Sequence, residues 1–353
     1  MIIEKELYKL NGLPVLQNSM FSSKIEAQNC SIGDMQLVQN LETGLVYNKS
    51  FRPELVTYDK NYQNEQAVSV LFQNHLDNVA KIIKENFDDN TLIEVGCGKG
   101  YFLENLHNLG FKITGLDPTY EGGNKNIVKE FFTPETGIKA DGVILRHVLE
   151  HVQNPVDFLF DICESNGNQG KIYIEVPCFD WICRKRAWFD VFYEHVNYFT
   201  LSDFKRIFKK VYSSGHIFGG QYIYVVADLA SIRKPKYTNP EGVNFPNNFI
   251  SNIDFFKTLL NTSSKKSVVW GGASKGVIFS LFMKKRGVNI ESIIDINPAK
   301  QGKFIASTGI KVSSPEILNN APDDTNIIIM NGNYLEEIKA LTNNQFNYYG
   351  IDQ

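Results

Sequence analysis

Two clusters of histidine and glutamate are the residues of this sequence best suited to proton transfer. The first contains His147 and His151, and the second is the adjacent pair Glu194 and His195. An imidazole exchanges a proton near neutral pH, and a neighbouring carboxylate can orient it or tune its charge, so the second cluster predicts a general base. His147 and His151 are four positions apart and would share one face of a helix. They could bind a metal ion, but no third ligand lies at a convincing spacing, so we expect no metal.

A glycine-rich turn is the second candidate site. Residues 94–100 have the sequence EVGCGKG and follow an apolar run. Glycine lets the chain turn tightly and approach a ligand without a Cβ in the way. Asp117 lies 21 residues after Gly96, where an acidic side chain can bind both hydroxyls of a ribose. The spacing predicts a nucleoside site, and a turn that serves only packing, with Asp117 capping its strand, is the alternative.

Apolar runs that alternate with helical patterns predict the strands and helices that position these residues. A helical pattern over 65–86 precedes the turn, and alternating runs with short connections are typical of a mostly parallel sheet with helices on both faces. The predicted strands are at 92–95, 112–116, 142–145 and 171–176. Segments 211–218 and 221–227 are joined at Gly219 and Gly220 and predict an antiparallel pair. The fold class is therefore α/β with a Rossmann-like core.

Changes in composition along the chain predict three units. Residues 1–64 hold short apolar pieces separated by Gly, Asn and Ser, which indicates a small lobe of short strands and turns. A proline-containing linker at 229–246 precedes a renewed alternation of strands and helices around the turn GGASKG at 271–276. We expect an N-terminal lobe at 1–64, a central domain at 65–230 and a smaller Rossmann-like α/β domain at 231–353.

The overall composition excludes several classes of protein. The chain has 353 residues, of which 43% are apolar and 21% charged, as in folded globular proteins. Its net charge of −3 lacks the basic surface of a nucleic-acid or anionic-membrane binder. The five cysteines are scattered without a C-x-x-C motif, which indicates free thiols in a reducing compartment. No stretch approaches the roughly 20 apolar residues of a membrane span, so we expect a cytoplasmic protein.

Residues 94–100 resemble motif I of the class I S-adenosylmethionine (SAM) methyltransferases, E-x-G-x-G-x-G. A dinucleotide turn must cradle a pyrophosphate, whereas an acidic residue at the strand end suits the cationic ligand SAM better. The resemblance implies an enzyme with SAM as its cofactor. It assigns to cofactor binding Glu94, Gly96, Cys97, Gly98, Gly100, Asp117, Pro118, Glu130, Arg146 and His147.

Over almost its full length the chain resembles the three-domain, SAM-dependent C-methyltransferases of nucleotide-linked deoxysugars. The resemblance rests on NYQNEQ at 61–66, LEHV at 149–152, YEH at 193–195 and GGQY at 219–222. It implies that His195 removes a proton beside a sugar ketone, that Glu194 orients His195, and that His151 or a tyrosine hydroxyl stabilises the enolate oxygen. The implied catalytic set is His195, Glu194, His151, Tyr193, Tyr198 and Tyr62, and the implied substrate set is Tyr58, Arg184, Arg186, Tyr222, Gly272, Ser274 and Lys275.

Two departures from the family pattern keep alternatives open. Phe192 replaces a tyrosine of the Y-x-E-H element, and only Cys30 precedes residue 90 where the family carries four zinc-binding cysteines, so we expect no zinc in the lobe. An O- or N-methyltransferase of a sugar or related small molecule is the second hypothesis, and a non-catalytic SAM-binding scaffold is the third. The turn at 271–276 is either a phosphate cradle that uses Lys275 or a structural feature, and we expect no NAD. The expected partner is a nucleotide sugar, bound by a monomer or weak homodimer.

Overall fold

The computed structural model describes residues 3–59, 61–87, 90–239, 241–262 and 266–353. The N-terminal part contains β1 (Glu4–Pro14), β2 (Met20–Phe21), α1 (Lys24–Gln28), β3 (Ile32–Asn40) and β4 (Val46–Asn48). Strands β1, β3 and β4 form an antiparallel sheet with β1 at its edge. Strand β1 is longer than the apolar pieces predicted, because an edge strand can carry charged side chains along most of its length.

The central part forms a seven-stranded sheet. Its elements are α2 (Val70–Phe87), β5 (Thr91–Val95), α3 (Tyr101–Asn108), β6 (Lys112–Leu116), β7 (Ile127–Val128), β8 (Gly142–Arg146), α4 (Pro155–Ser165), β9 (Lys171–Pro177), α5 (Phe179–Lys185), β10 (Asn197–Tyr198), α6 (Leu201–Ile207), β11 (Val211–Ile217) and β12 (Tyr222–Asp228). The strand order is β11-β12-β9-β8-β5-β6-β7, with β5 to β9 parallel and with β12 antiparallel to both of its neighbours. The predicted parallel sheet and the predicted antiparallel pair are both confirmed.

Helix α2 of the central part is shorter than predicted, and helix α6 is also short. Helix α2 begins at Val70 rather than at residue 65, and the Ser69 hydroxyl accepts a hydrogen bond from the Phe72 amide at 3.2 Å, which caps the helix. Helix α6 ends at Ile207 because Phe208 leaves the helix and bridges to Ile232. A local cap therefore marks the start of α2, and a tertiary contact marks the end of α6.

The C-terminal part forms a second Rossmann-like unit. Its elements are α7 (Ile253–Thr262), β13 (Ser267–Trp270), α8 (Ser274–Lys284), β14 (Ile293–Ile294), β15 (Phe304–Ile305), β16 (Val312–Ser313), β17 (Asn326–Ile329), α9 (Leu335–Leu341) and β18 (Asn347–Gly350). Five strands in the order β16-β14-β13-β17-β18 are all parallel, which confirms the predicted second parallel sheet. Pro240 of the predicted linker lies outside the described residues, and the predicted domain boundaries stay predictions.

Strands and apolar side chains join the three parts. Strand β10 pairs with β4, and β15 pairs with β2, so each of the two other parts adds a strand to the N-terminal part. Trp188 is fully buried and packs on Phe279 and Phe282 of α8, with ring centroids 6.0 and 4.7 Å away. These contacts bring all three parts around one cleft. Within the described residues, the helices lack the combination of length and apolar character needed to cross a membrane.

Candidate active site

A cleft of about 410 Å³ is lined by residues from all three parts of the chain. The N-terminal part contributes Asn18 and Tyr62, the central part contributes the first glycine-rich turn and three histidines, and the C-terminal part contributes the second glycine-rich turn. The two turns that the sequence singled out therefore face the same space.

The first glycine-rich turn connects β5 to α3 in a conformation that glycine favours. Gly96, Gly98 and Gly100 have φ values of 73°, 55° and 82°. A Cβ on Gly100 would overlap Ile127, whereas a Cβ on Gly98 would meet no atom within 4 Å. Asp117 supports the turn, since its carboxylate accepts a hydrogen bond from the Gly98 amide at 2.8 Å. Gly98 is thus the point at which the backbone is open to a ligand.

Glu94 places a buried carboxylate at the floor of this turn. Its side chain lines the cleft, the residue is 3% exposed, and Oε2 has no hydrogen-bond partner among the described residues. Burial raises the pKa of Glu94 to about 7; Glu175 and Asp117 also raise it, and Arg146 lowers it. An unpartnered acidic oxygen of this kind fits the ammonium group of an amino acid such as the tail of SAM.

Glu175 is a buried acidic residue at the centre of the sheet that was not among the residues predicted from the sequence. Its fully buried carboxylate accepts hydrogen bonds from Arg146 Nε at 2.9 Å and Tyr173 OH at 3.1 Å, and it lies 2.9 Å from His75 Nε2. Burial raises the pKa of Glu175, but Arg146 and the adjoining histidines hold it well below its usual range. A glutamate inside the apolar run at 171–176 was the available signal, because a charge in a central strand requires partners.

His147 lies between two carboxylates. Its Nδ1 is 3.2 Å from Glu150 Oε1, and its Nε2 is 3.2 Å from Glu175 Oε1 but without the geometry of a hydrogen bond. Burial lowers the pKa of His147, and the two glutamates outweigh this and raise it to about 9. The residue also has a positive φ of 51°, which is uncommon for a residue with a Cβ.

The carboxylate of Glu194 does not contact the ring of His195. Glu194 is 2% exposed, and its carboxylate accepts hydrogen bonds from Tyr62 OH at 2.8 Å and from the Gln17 amide at 3.4 Å. Its backbone carbonyl oxygen lies 2.9 Å from His151 Nδ1. Although Glu194 and His195 are adjacent in sequence, Glu194 contacts the N-terminal part and His151 and does not form the expected pair with His195.

His195 lies at the cleft beside two other rings. Its ring centroid is 4.8 Å from that of Phe192 and 5.0 Å from that of His151. Neither nitrogen of His195 has a hydrogen-bond partner within the described part of the chain. Burial, reinforced by His151 and His147, lowers the pKa of His195 well below its usual value.

Glu150 completes a group that sequence spacing did not reveal. One potential ligand atom each from Glu150, His151 and His195 lies within 4.8 Å of the others. Glu150 and His151 come from the short turn Leu149–His151 after β8, and His195 comes from the segment before β10. The cluster does not contain His147, the partner of His151 that the spacing suggested, and it includes His195, which is 45 residues from Glu150.

Two family models match the central and C-terminal parts of the chain. A family model described as "Methyltransferase domain" matches residues 62–211, and one described as "C-methyltransferase C-terminal domain" matches residues 251–350. Residues 62–211 are a class I SAM-dependent methyltransferase domain. The strand order and the glycine-rich turn of this methyltransferase domain confirm the predicted fold class.

The individual relatives share little sequence identity with this chain. The chain is 26% identical over 117 residues to the mitochondrial ubiquinone biosynthesis O-methyltransferase of Schizosaccharomyces pombe, a match that covers 28% of this chain and 43% of that protein. The chain thus spans less than half the length of this curated relative. Among solved structures, a SAM-dependent methyltransferase from Mesorhizobium loti is 12% identical, with 45% of this chain and 99% of that chain covered and a TM-score of 0.34. The Burkholderia thailandensis 1,6-didemethyltoxoflavin-N1-methyltransferase is also 12% identical, with 55% and 96% covered and a TM-score of 0.36.

Two tyrosines expected in catalysis lie away from the cleft of the methyltransferase domain. Tyr193 is fully buried against Gly33, and its hydroxyl accepts a hydrogen bond from the Arg52 amide at 2.9 Å. The Tyr198 hydroxyl bonds to the amide and the carbonyl of Phe192, at 3.1 and 3.2 Å. Both hydroxyls hold backbone segments, so neither replaces the hydroxyl that Phe192 lacks.

Eight other predicted residues are also outside the cleft lining among the described residues: Gly100, Asp117, Pro118, Glu130, Arg184, Arg186, Glu194 and Gly272. Glu130 is exposed, and Arg186 donates a hydrogen bond to Asn248 at 2.8 Å. Pro118, Glu130, Arg184 and Arg186 are on loops or a helix end, where the sequence pattern does not determine the direction of a side chain. Tyr58 is 40% exposed, and its hydroxyl lies 3.4 Å from His151 Nδ1 at the border of the cleft.

The second glycine-rich turn lies in the cleft, but protein side chains already bind two of its amides. The Gly272 amide donates to Asp295 at 3.0 Å, and the Ser274 amide donates to the Asn18 side chain at 3.3 Å. Lys275 pairs with Asp190 at 3.2 Å. A phosphate at this turn would have to displace these contacts. Tyr222 also lines the cleft, with its ring centroid 4.6 Å from that of His147.

Proposed function

We propose that the protein transfers a methyl group from SAM to a carbon atom of a nucleotide-linked keto-deoxysugar. The observation that carries the proposal is one cleft lined by the glycine-rich turn of the methyltransferase domain, by His195 and by the C-methyltransferase C-terminal domain. The nature of the acceptor rests on the resemblance of residues 61–66, 149–152 and 193–195 to the deoxysugar C-methyltransferases.

The first glycine-rich turn would hold the cofactor. The free oxygen of Glu94 binds the amino group of SAM, and Asp117 binds the ribose while it supports the Gly98 amide. The turn residues Gly96, Cys97, Gly98 and Gly100 allow the backbone to approach, while Arg146 and His147 line the cleft beside the carboxylate of Glu175. When bound, SAM supplies the electrophilic methyl group.

His195 and His151 would take part in removing a proton from the acceptor and stabilising the enolate. His195 removes the proton from the carbon next to the ketone, since its ring faces the cleft and its nitrogens have no partner among the described residues. Glu194 positions the neighbouring groups, with its carboxylate bound by Tyr62 and its carbonyl oxygen close to His151. The developing enolate oxygen lies beside His151 or the nearby Tyr58 hydroxyl.

The C-terminal side of the cleft would hold the rest of the acceptor. Tyr222, Ser274 and Lys275 line this side, Gly272 belongs to the same turn, and the ammonium of Lys275 lies 5.0 Å above the ring of Trp181. Aromatic rings and a buried cation suit a sugar and a phosphate. The nucleotide would compete with Asn18 and Asp190 for Ser274 and Lys275.

A direct assay tests the proposal. The protein is incubated with SAM and a panel of dTDP-, GDP- and CDP-linked keto sugars, and mass spectrometry measures the gain of one methyl group. His195→Ala should lower turnover at least about 100-fold, because a general base contributes that much, while the affinity for S-adenosylhomocysteine stays unchanged. His107→Ala, on α3 away from this cleft, is the matched control. Near-normal turnover of His195→Ala would exclude His195 as the base.

Methyl transfer to oxygen or nitrogen is the second candidate, and Phe192 favours it. Phe192 lines the cleft without a hydroxyl, and the Tyr193 and Tyr198 hydroxyls are bound to the backbone. C-methylation requires removal of the proton next to the ketone. Without SAM the enolate is reprotonated from solvent, so the protein should incorporate deuterium there from heavy water. Methyl transfer without such exchange would support the O- or N-methyltransferase.

A further inference from the structure

Glu150, His151 and His195 form a cluster of metal-binding side chains at the wall of the cleft. Their potential ligand atoms lie within 4.8 Å of one another, and all three residues line the cleft. The cluster joins the turn after β8 to the segment before β10, so it exists only in the folded chain.

The carboxylate of Glu150 gives independent evidence that the cluster binds a ligand. The residue is 1% exposed, and although Oε1 lies 3.2 Å from His147 Nδ1, Oε2 has no hydrogen-bond partner among the described residues. A buried carboxylate oxygen without a partner is costly, and a cation is the ligand that would compensate it best.

The two histidines are arranged as metal ligands often are. Nδ1 of His151 lies 2.9 Å from the Glu194 carbonyl oxygen, and donation of its proton to that oxygen fixes the ring and leaves Nε2 as the lone-pair nitrogen. His195 has no hydrogen-bond partner for its ring nitrogens within the described residues. Two imidazole nitrogens and one carboxylate oxygen suit Zn²⁺, Co²⁺ or Fe²⁺, whereas Mg²⁺ and Ca²⁺ prefer oxygen ligands.

We propose that Glu150, His151 and His195 bind one divalent transition-metal ion, with its remaining positions open to the cleft. Metal–nitrogen bonds of about 2.0–2.1 Å require the side chains to close in by roughly 1 Å. The second part of this inference rests on the proposed function. A metal ion and the acceptor's proton need the same lone pair of His195, so the bound ion inhibits methyl transfer.

Cobalt provides a probe that does not depend on enzyme activity. The full chain without an affinity tag is titrated with Co²⁺ in the absence of SAM and acceptor, and the visible d–d absorption is recorded. We expect saturation at about one ion per chain, displacement by Zn²⁺ and no displacement by Mg²⁺. Glu150→Gln and His151→Ala should each raise the Kd for Co²⁺ at least about 10-fold, whereas His107→Ala should leave it unchanged.

Two outcomes overturn the metal site. One is the absence of a saturable Co²⁺ absorption, and the other is a Kd for Co²⁺ that is the same in both variants as in the unsubstituted protein. Circular dichroism checks the fold, and His151→Ala keeps the test valid if the loss of buried Glu150 unfolds the protein, since the His151 side chain is 23% exposed. A second arm compares methyl transfer in EDTA and in Zn²⁺. Activity in EDTA that falls as Zn²⁺ is added supports inhibition, and activity that requires the metal overturns it. If no acceptor is ever methylated, the cobalt titration still decides the site.

Discussion

The two glycine-rich turns begin from similar local structures and end with different chemistry. Each follows a parallel strand, β5 or β13, each precedes a helix, and both line the cleft. In the first turn Glu94 keeps a free oxygen and Gly98 faces open space. In the second turn Asp295 accepts a hydrogen bond from the Gly272 amide, as Asp117 does from the Gly98 amide in the first, and Asn18 binds the Ser274 amide in addition.

The difference shows that a strand, a glycine-rich turn and a helix do not by themselves define a ligand site. What matters is which donors and acceptors remain free after the surrounding chain has packed. The first turn retains the free carboxylate oxygen of Glu94, which a cationic nucleoside needs. The second turn also connects the C-terminal part to the N-terminal part through the hydrogen bond between Ser274 and Asn18. Three substitutions can break or sharpen this comparison.

The largest effect should come from Gly276→Ala in the second turn. A Cβ at Gly276 would overlap the carbonyl oxygen of Gly271, and backbone atoms cannot easily move aside. We expect the free energy of unfolding to fall by more than about 3 kcal/mol, measured by urea denaturation. The matched change Gly98→Ala meets no atom within 4 Å and only the strain of a φ of 55°, so it should cost about 1 kcal/mol. Equal losses in the two turns would remove the structural distinction between them.

Glu94→Gln should stabilise the ligand-free protein in alkaline solution. The pKa of Glu94 is about 7 in the folded chain and 4.5 without burial, so its ionisation opposes folding as the pH rises through this window. The gain in the free energy of unfolding should be about 1 kcal/mol near pH 5.5, about 3 kcal/mol above pH 7.5 and absent below about pH 4.5. Glu130→Gln, at an exposed position, is the control and should show no such pH dependence.

The same substitution tests the binding role of Glu94. Because the ammonium of S-adenosylhomocysteine needs the ionised carboxylate, its affinity for the native protein should fall up to about 10-fold per pH unit below pH 7. Arg146, Glu175 and Asp117 are the charged groups that affect Glu94. Calorimetric titration should show weaker binding and a flatter pH profile for Glu94→Gln. An unchanged affinity at pH 8 would show that the first turn does not use its free carboxylate.

Asn18→Ala should have the smallest effect. It removes the side chain that accepts hydrogen bonds from Ser274 at the start of α8, and the loss of a helix cap costs about 1 kcal/mol. Affinity for S-adenosylhomocysteine should stay the same, because the first turn is not changed. If the second turn can accept a phosphate once it is opened, dTDP should bind more tightly to the variant by calorimetry; unchanged dTDP binding would support a purely structural turn.

Much of the fold could be predicted because its signals are local. Apolar periodicity located β5, β6, β8 and β9, and the two glycines at 219–220 located the antiparallel pair β11 and β12. The short strands β2 and β15 could not be predicted, since each has two residues and exists only by pairing with the other. The edge strand β1 was underestimated because its charged residues hide the apolar signal.

Many residues of the candidate site could be predicted from the sequence, but the hydrogen bonds between them could not. The first turn, His151, His195 and Tyr62 all line the cleft, as the motifs indicated. Tyr193 and Tyr198 do not, because a buried hydroxyl next to a free backbone group bonds to that group instead. Glu175 was overlooked because its partners His75 and Arg146 are 100 and 29 residues away.

The amino-acid sequence by itself determined the α/β class, the glycine-rich turns and the residue types that can bind SAM or move a proton, since these depend on neighbours along the chain. Only the tertiary structure decided that Glu194 binds Tyr62, that Glu150 meets His195, and that Asn18 closes the second turn. The physical reason is that a carboxylate or an amide bonds to whichever partner packing places within about 3 Å, and sequence distance does not limit that choice.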